Sequence, residues 1–380
     1  MPSRNAAAKS RYLSLDVLRA IAGLSVPVLH LLEGFGGERA ARFGGHIYFA
    51  VEFFLLLMGY MLAHAYDARW SEMSFGAFCV RRLKRLHPFV VTGLLLGLAV
   101  FAVQLVAGPV FFPWLKGASF GTVALAVVCS FMMLPVPGIS ILAPFNACSW
   151  TLYYEYLGNL LYGLVLRRVG LKTLVALVFL AAAFTVTYVF QVPYVGGRHG
   201  LSIAGGWSAT LPHLHTGLVR LCFPLVFGIL LSRLKWRLTL PPKVAAVGVG
   251  LVFAALLFTP MTWFADRALA HRLFECGVIF VLLPVLLLIG AGNAPIVAES
   301  RLTRGVVYLA ELSYPLYMSH YPLVEVHQWL VRTAFVDFSP ATTFALTAGE
   351  YVFYVGLAAL LMHMDSMWRS SVDKCRLGRV

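Results

Sequence analysis

Charged residues are scarce in this sequence. They make up 12% of the 380 residues, whereas apolar residues make up 60% and the mean hydropathy is +0.82. Soluble domains usually hold about 25% charged and about 45–50% apolar residues. The composition therefore excludes an ordinary soluble enzyme, a disordered chain and a nucleic-acid-binding domain. It indicates an integral membrane protein, whose partners include membrane lipid and no nucleic acid.

Patterns typical of metal ligands and of disulfides are also missing. The six cysteines form no CxxC pair and no His/Cys ligand spacing. We interpret them as small buried apolar side chains. The sequence therefore predicts no metal site, no disulfide framework and no bound cofactor.

The chain has no stretch between apolar segments that is long enough for a soluble domain. A helix needs about 20 apolar residues to cross the hydrocarbon core of a bilayer. The sequence predicts an all-α polytopic membrane helix bundle with a tail at 1–11, a transmembrane domain at 12–364 and a basic tail at 365–380. About ten spans are expected, at 12–33, 45–66, 89–108, 149–166, 172–190, 217–232, 244–260, 273–290, 305–331 and 341–364.

A further apolar stretch, 121–134, decides the topology. If it does not cross, 21 Lys and Arg residues lie in cytoplasmic segments and 7 in outer segments. If it crosses, the counts become 12 and 16. The positive-inside rule favours the first arrangement. We therefore expect both termini in the cytoplasm, a re-entrant or interfacial 121–134, and a multi-pass protein of the inner membrane.

The first span keeps several ionisable residues. Arg19 and His30 are eleven residues apart, which places them on one face of a helix and about 16 Å apart along its axis. Asp16 lies at the right spacing to pair with Arg19. One interpretation is an interfacial ion pair and a histidine among the outer headgroups. The other is a polar stripe along a cavity, in which His30 acts as a general base.

A cluster of cations precedes the third span. Arg81, Arg82, Lys84 and Arg85 lie within five residues, just before Pro88. Such clusters often bind anionic lipid headgroups. Arginine side chains also match the oxygens of phosphate, so a phosphate-rich ligand is the second interpretation.

Two later segments also place polar residues in apolar surroundings. Glu155 lies at the start of the span 149–166 with Tyr154 before it, and it needs a partner such as His30 or Arg19. His320 lies between two prolines, which indicate a kinked helix.

Together these segments resemble the acyltransferase 3 family of membrane acyltransferases. The similarity consists of four patterns in the family's order, over nearly the whole chain. They are Arg19-x10-His30, Arg82-x-x-Arg85, Trp150-Thr-Leu-x-x-Glu155 and Ser313-Tyr-Pro-Leu-Tyr-Met-Ser-His320-Tyr-Pro322.

The resemblance implies an O-acyltransferase that uses cytoplasmic acyl-CoA, most often acetyl-CoA, as donor substrate. The acceptor would be a hydroxyl of a cell-envelope or secreted sugar. The resemblance also implies that His30 and Arg19 matter to catalysis and that Arg82 and Arg85 matter to activity. We further expect Glu155 to be catalytic, either by orienting the His30 imidazole or by contacting the acceptor sugar. Arg81, Arg82 and Arg85 are expected to bind the phosphates of CoA. Four further residues are expected along the cavity, namely Asp16, Tyr154, Tyr317 and His320.

Two alternatives stay open beside this interpretation. Because His30 is near the outer end of its span while CoA is cytoplasmic, a covalent acyl-His30 relay is the alternative mechanism. A transporter or flippase of an acyl or glycan intermediate, without chemistry, is the alternative function. The outer loop 191–216 is a candidate acceptor surface through Tyr194, His199, Trp207, His213 and His215.

Overall fold

A computed structural model describes residues 11–191, 203–264, 267–292, 300–336 and 338–377. Within these ranges every regular element is a helix, which confirms the all-α prediction. The elements are α1 (Leu13–Gly34), α2 (Gly37–Phe43), α3 (Phe49–Tyr66), α4 (Phe75–Ala107), α5 (Phe120–Met132), α6 (Trp150–Leu164), α7 (Leu171–Gln191), α8 (Leu211–Leu234), α9 (Pro242–Leu257), α10 (Ala268–Gly277), α11 (Leu283–Gly292), α12 (Arg301–Ser319), α13 (Tyr321–Thr333) and α14 (Pro340–Leu377).

Local sequence fixes several helix ends. Ser74, Ser119 and Ser300 each precede a helix, and each side chain accepts a hydrogen bond from the backbone N–H three residues later. This satisfies one of the amide groups that a helix start leaves unpaired. At the other end of α4, Gly108 adopts a left-handed conformation (φ 88°) that favours glycine.

Seven described helices are long and apolar enough to cross a membrane, which confirms a polytopic helical bundle. They are Leu13–Gly34, Phe49–Arg69, Phe75–Ala107, Leu171–Phe190, Leu211–Leu234, Ala268–Gly292 and Pro340–Ser371. The shorter α6 and α9 fall on the predicted spans 149–166 and 244–260. The total of ten spans stays a prediction. Because α14 continues to Leu377, much of the predicted tail 365–380 is helical.

The span predicted at 305–331 is broken into two helices. α12 ends at Ser319 and α13 begins at Tyr321, so His320 lies at the junction. Pro322 lies in the first turn of α13, where a missing backbone N–H costs little. The predicted kink is thus confirmed, and it presents the His320 side chain to the interior, where it is fully buried.

The doubtful stretch 121–134 corresponds to the short helix α5. Its 13 residues give a length of about 20 Å, less than the roughly 30 Å of hydrocarbon core. The length favours the prediction that this stretch does not cross.

Segments predicted to share one side of the membrane meet in the structure. Arg233, near the end of α8, donates to Asp67 after α3 (2.7 Å) and to the carbonyl of Val169 (2.7 Å). On the other side, His46 Nδ1 lies 2.7 Å from the carbonyl of Thr259. These contacts agree with the predicted topology, in which the first three residues are in cytoplasmic segments and the last two are at the outer ends of their spans.

The first helix lies at the centre of the bundle and packs closely against α12. At Gly23 the two backbones are so near that an added Cβ would lie 2.2 Å from Ser313 Cβ and 2.8 Å from Ser313 Cα. Only glycine fits such a crossing without displacing one helix. This contact sets the distance between two helices that carry His30 and His320.

We expect Gly23→Ala to destabilise the protein by about 1–3 kcal/mol, because the added methyl group overlaps backbone that cannot move aside cheaply. Thermal unfolding in detergent measures the effect. Gly248→Ala in α9 is the matched control, since an added Cβ there has no atom within 4 Å. Equal stability of the two variants would contradict the importance of this crossing.

Candidate active site

The first helix carries an ion pair near its N-terminal end. Arg19 Nη1 donates to Asp16 Oδ1 at 3.1 Å. Arg11 lies 3.9 Å from the same Asp16 oxygen and pairs with Glu311 of α12. The predicted Asp16–Arg19 pair is therefore present, three helical turns away from His30.

The His30 imidazole is held between a carboxylate and a thiol. Its Nδ1 lies 2.9 Å from Oε2 of Glu33, one turn later on α1. Its Nε2 lies 3.1 Å from Sγ of Cys148, which precedes α6. The carboxylate therefore orients the ring and the opposite nitrogen faces the sulfur.

A second imidazole approaches the same sulfur. His320 Nε2 lies 3.7 Å from Cys148 Sγ, and the rings of His320 and His30 are stacked with centroids 5.6 Å apart. The backbone carbonyl of Cys148 accepts a hydrogen bond from the Tyr317 hydroxyl at 2.6 Å. Three ligand-type atoms, from His30, Cys148 and His320, thus lie within 4.8 Å of one another.

The partners of each imidazole assign its tautomer. Carbonyl and carboxylate oxygens only accept hydrogen bonds, so the proton is placed on Nδ1 of His30, facing Glu33, and on Nδ1 of His320, 3.0 Å from the carbonyl of Leu316. Each Nε2 then presents a lone pair to Cys148. The thiol donates to the nearer nitrogen, that of His30.

A cavity of about 460 Å³ lies next to this cluster, and it is bounded in part by His30 and Cys148. His30, Glu33, Cys148 and Tyr317 line it together with several aromatic side chains, Tyr48, Phe111, Trp114, Trp150, Trp207, Tyr321 and Trp329. Its remaining lining comes largely from segments that the topology places outside. Aromatic walls with a few convergent polar groups are typical of a binding site for an organic ligand.

Glu155 does not reach His30 or Arg19, and this prediction is wrong. Its Oε1 accepts a hydrogen bond from Arg82 Nη2 at 3.2 Å. Cys148 and Glu155 are seven residues apart, a rise of roughly 10 Å in helical geometry, so only the Cys148 end is level with His30. Glu33, rather than Glu155, is the carboxylate that bonds the His30 ring.

The cation cluster lies on the part of α4 that precedes the predicted span. Arg82 is buried and pairs with Glu155, whereas Arg81 and Arg85 are exposed. Arg81 and Arg85 are therefore accessible at the surface. Arg82 is already engaged in an ion pair.

Comparison with known proteins fits this arrangement. The model of the acyltransferase 3 family, described as an acyltransferase domain, matches residues 12–362. The chain belongs to the acyltransferase 3 family. A relative from Rhizobium radiobacter, named protein 2 in picA locus, is 30% identical over 183 residues, which cover 45% of this chain and 91% of the relative. No solved structure is significantly similar to the chain. The protein is accordingly a multi-pass membrane acyltransferase.

Three of the four segments that resemble the acyltransferase 3 family, those of His30, Trp150 and Tyr317, meet at the cavity floor in this member. Tyr317 donates to the Cys148 carbonyl and lies 2.7 Å from the Thr151 hydroxyl, which links the two later motifs. Of the four residues expected along the cavity, Tyr317 is in its lining. His320 is buried and contacts Cys148, Tyr154 bonds the carbonyl of Leu214, and Asp16 lies in the first turn of α1. These three are not part of the cavity lining.

The outer loop 191–216 contributes in part. Trp207 lines the cavity, and its ring packs against His213 with centroids 4.9 Å apart. His215 is exposed and packs against α7. Tyr194 and His199 lie outside the described residues.

Cys148 was missed as a functional residue. The interpretation of the cysteines as apolar side chains in no ligand cluster is wrong for this one. Its histidine partners are 118 and 172 residues away in sequence, so no spacing pattern links them. The available signal was its position two residues before Trp150 of a family-like motif.

Sequence reasoning also missed a buried ion pair beside the cavity. Arg220 of α8 bonds both carboxylate oxygens of Glu52, and Nη2 is 2.9 Å from Oε2. Both side chains are almost fully buried, at 2% and 1% exposed. The guanidinium lies 5.2 Å from the Trp150 ring centroid, so this pair supports one wall of the cavity.

Proposed function

We propose that this acyltransferase moves an acyl group, in particular acetyl, from cytoplasmic acyl-CoA to a hydroxyl of a cell-envelope or secreted sugar, in the inner membrane. The observation that carries the proposal is the His30 imidazole, oriented by Glu33 at the floor of an aromatic-lined cavity. A base beside a binding cavity is what a hydroxyl acceptor requires. A transporter needs no such base.

The two substrates reach this floor from opposite sides. Arg81 and Arg85 are exposed at the cytoplasmic end and suit the phosphates of CoA. Arg19 lies between them and His30 along α1 and would face the thioester arm. The acceptor enters from the outer cavity, where Trp114, Trp207 and Trp329 offer flat faces for a sugar ring.

The test uses purified protein in lipid nanodiscs with acetyl-CoA that carries a radiolabelled acetyl group. Separate reactions contain polysaccharide from the envelope, lipid-linked oligosaccharide or soluble oligosaccharide. We expect label in at least one glycan and release of free CoA. The proposal fails if no acyl-CoA is consumed with any acceptor and the protein instead moves glycan across proteoliposomes without acyl-CoA.

We expect Arg85→Gln to raise the KM for acetyl-CoA about tenfold with little change in kcat, because a charge-assisted bond to phosphate is lost equally in the ground and transition states. Initial rates against acetyl-CoA concentration measure this. Lys172→Gln, another exposed cytoplasmic cation, is the control. An unchanged KM in Arg85→Gln would assign this side chain to lipid headgroups instead.

A further inference from the structure

We propose that Cys148 is a nucleophile that accepts the acyl group from CoA and then passes it to the acceptor hydroxyl. The proposal deepens the proposed function and rests on it. It replaces direct transfer with two steps through a thioester on the protein.

The geometry is that of an activated thiol. Cys148 Sγ is 3.1 Å from His30 Nε2, and His30 Nδ1 is 2.9 Å from Glu33 Oε2. A nucleophile within hydrogen-bond reach of a base, with the base oriented by a third group, is the general signature of covalent catalysis. These three residues come from two segments that are far apart in sequence.

The surroundings of the Cys148 thiol differ from those of the other cysteines whose side chains the structure describes. Cys148 lines the cavity and faces a second imidazole, that of His320, at 3.7 Å. Cys222, by contrast, packs against the apolar core of the bundle. Two imidazole nitrogens thus lie beside one sulfur, and the nearer one, Nε2 of His30, is placed to accept the thiol proton.

The first step exchanges one thioester for another. His30 Nε2 takes the proton of the Cys148 thiol, and the sulfur attacks the carbonyl carbon of acyl-CoA. The bond from carbon to Sγ forms, the bond from carbon to the CoA sulfur breaks, and the CoA sulfur leaves with the proton from His30. The acyl group keeps its reactivity because it remains a thioester.

The second step delivers the acyl group. The acceptor hydroxyl gives its proton to His30, its oxygen attacks the acyl carbon, and the bond from carbon to Sγ breaks. The Cys148 sulfur recovers the proton from His30, so the protein returns to its starting state. CoA and the acceptor then need not occupy the site together, although one arrives from the cytoplasm and the other from outside.

The experiment mixes purified protein with radiolabelled acetyl-CoA in the absence of acceptor and maps the label by mass spectrometry of the intact chain and its peptides. We expect one acetyl group per chain on the peptide that contains Cys148. It should be released by hydroxylamine and, on addition of acceptor, should move to the acceptor. Cys148→Ala should lose the label and lower transfer by about 1,000-fold or more, whereas Cys222→Ala should keep both.

Cys148→Ser guards against a folding defect. Serine should take up acetyl slowly and release it poorly, because an oxygen ester is less reactive than a thioester. Label on His30 in the parent, or full transfer by Cys148→Ala, overturns the proposal while leaving the proposed function intact. One zinc ion per chain that is lost in Cys148→Ala also overturns it, since the thiolate would then be a ligand. A parent that consumes no acyl-CoA overturns both.

Discussion

Replacement of His30 by alanine is expected to lower acyl transfer between about 100-fold and 10,000-fold, the usual contribution of a positioned general base. The variant removes the nitrogen that receives the proton and leaves Cys148 and Glu33 in place. The measurement is the initial rate of acetyl transfer to the identified acceptor, in nanodiscs, at matched protein concentration. His363→Ala on α14 is the control, because that histidine is exposed and is not part of the cavity lining.

A milder variant sharpens this prediction. Glu33→Gln keeps the shape of the side chain but replaces a carboxylate that holds the His30 ring by a neutral amide. We expect its loss of rate to be smaller than that of His30→Ala, with the KM for acetyl-CoA unchanged. If His30→Ala transfers acetyl as fast as the parent, the base assignment is wrong. If Glu33→Gln is as inactive as His30→Ala, the carboxylate acts beyond orientation.

The helical architecture was predictable because lipid cannot form hydrogen bonds with the backbone. Every backbone polar group must be satisfied within its own segment, so apolar stretches of sufficient length become helices. The kink around His320 was also predictable, since prolines mark it. The charge of the loops predicts that α5 does not cross, and its length of 13 residues agrees with that prediction.

Only local relations within the site could be predicted. Arg19 and Asp16 are on one helix, so their spacing already indicates a pair. Glu155 is on another helix, and its partner depends on the position of α6 along the axes of α1 and α4. Nothing in the spacing of residues encodes that offset, which places Arg82 rather than His30 beside Glu155.

The contact between Cys148 and its two histidines was beyond sequence reasoning for the same reason. It requires the kink before α13, the turn before α6 and the close crossing at Gly23 to act together. A cysteine in an apolar sequence gives no signal of its own, because most such residues are simply buried. The active thiol proposed for Cys148 is therefore a property of packing.

The pair formed by Arg220 and Glu52 is the interaction whose loss should most affect stability. It lies between α8 and α3, which also pack closely at Gly228 and Gly59. Arg220 donates in addition to the carbonyls of Gly205 and Tyr48, both at 2.9 Å. Breaking a buried pair leaves an uncompensated charge, which typically costs about 3–5 kcal/mol.

We expect Arg220→Met to lower the free energy of unfolding by about 3–5 kcal/mol, because the Glu52 carboxylate is left buried without its partner. Denaturant unfolding in mixed micelles measures it. The double variant Glu52→Gln/Arg220→Met should recover part of this loss by removing the charge, but not all, since the carbonyls of Gly205 and Tyr48 still lose the hydrogen bonds that Arg220 donates. Arg369→Met is the control.

The Arg369→Met control distinguishes the effect of breaking a buried ion pair from the effect of removing an arginine charge at the surface. Arg369 pairs with Asp365 on the surface of α14, with its side chain 47% exposed, so its loss should cost less than about 1 kcal/mol. Equal effects of Arg220→Met and Arg369→Met would contradict the prediction, as would a double variant no more stable than Arg220→Met. If only the Arg220 variants lose stability, the buried Arg220–Glu52 pair stabilises the protein through its burial. Because the same guanidinium packs on Trp150, the pair would then also stabilise this wall of the cavity.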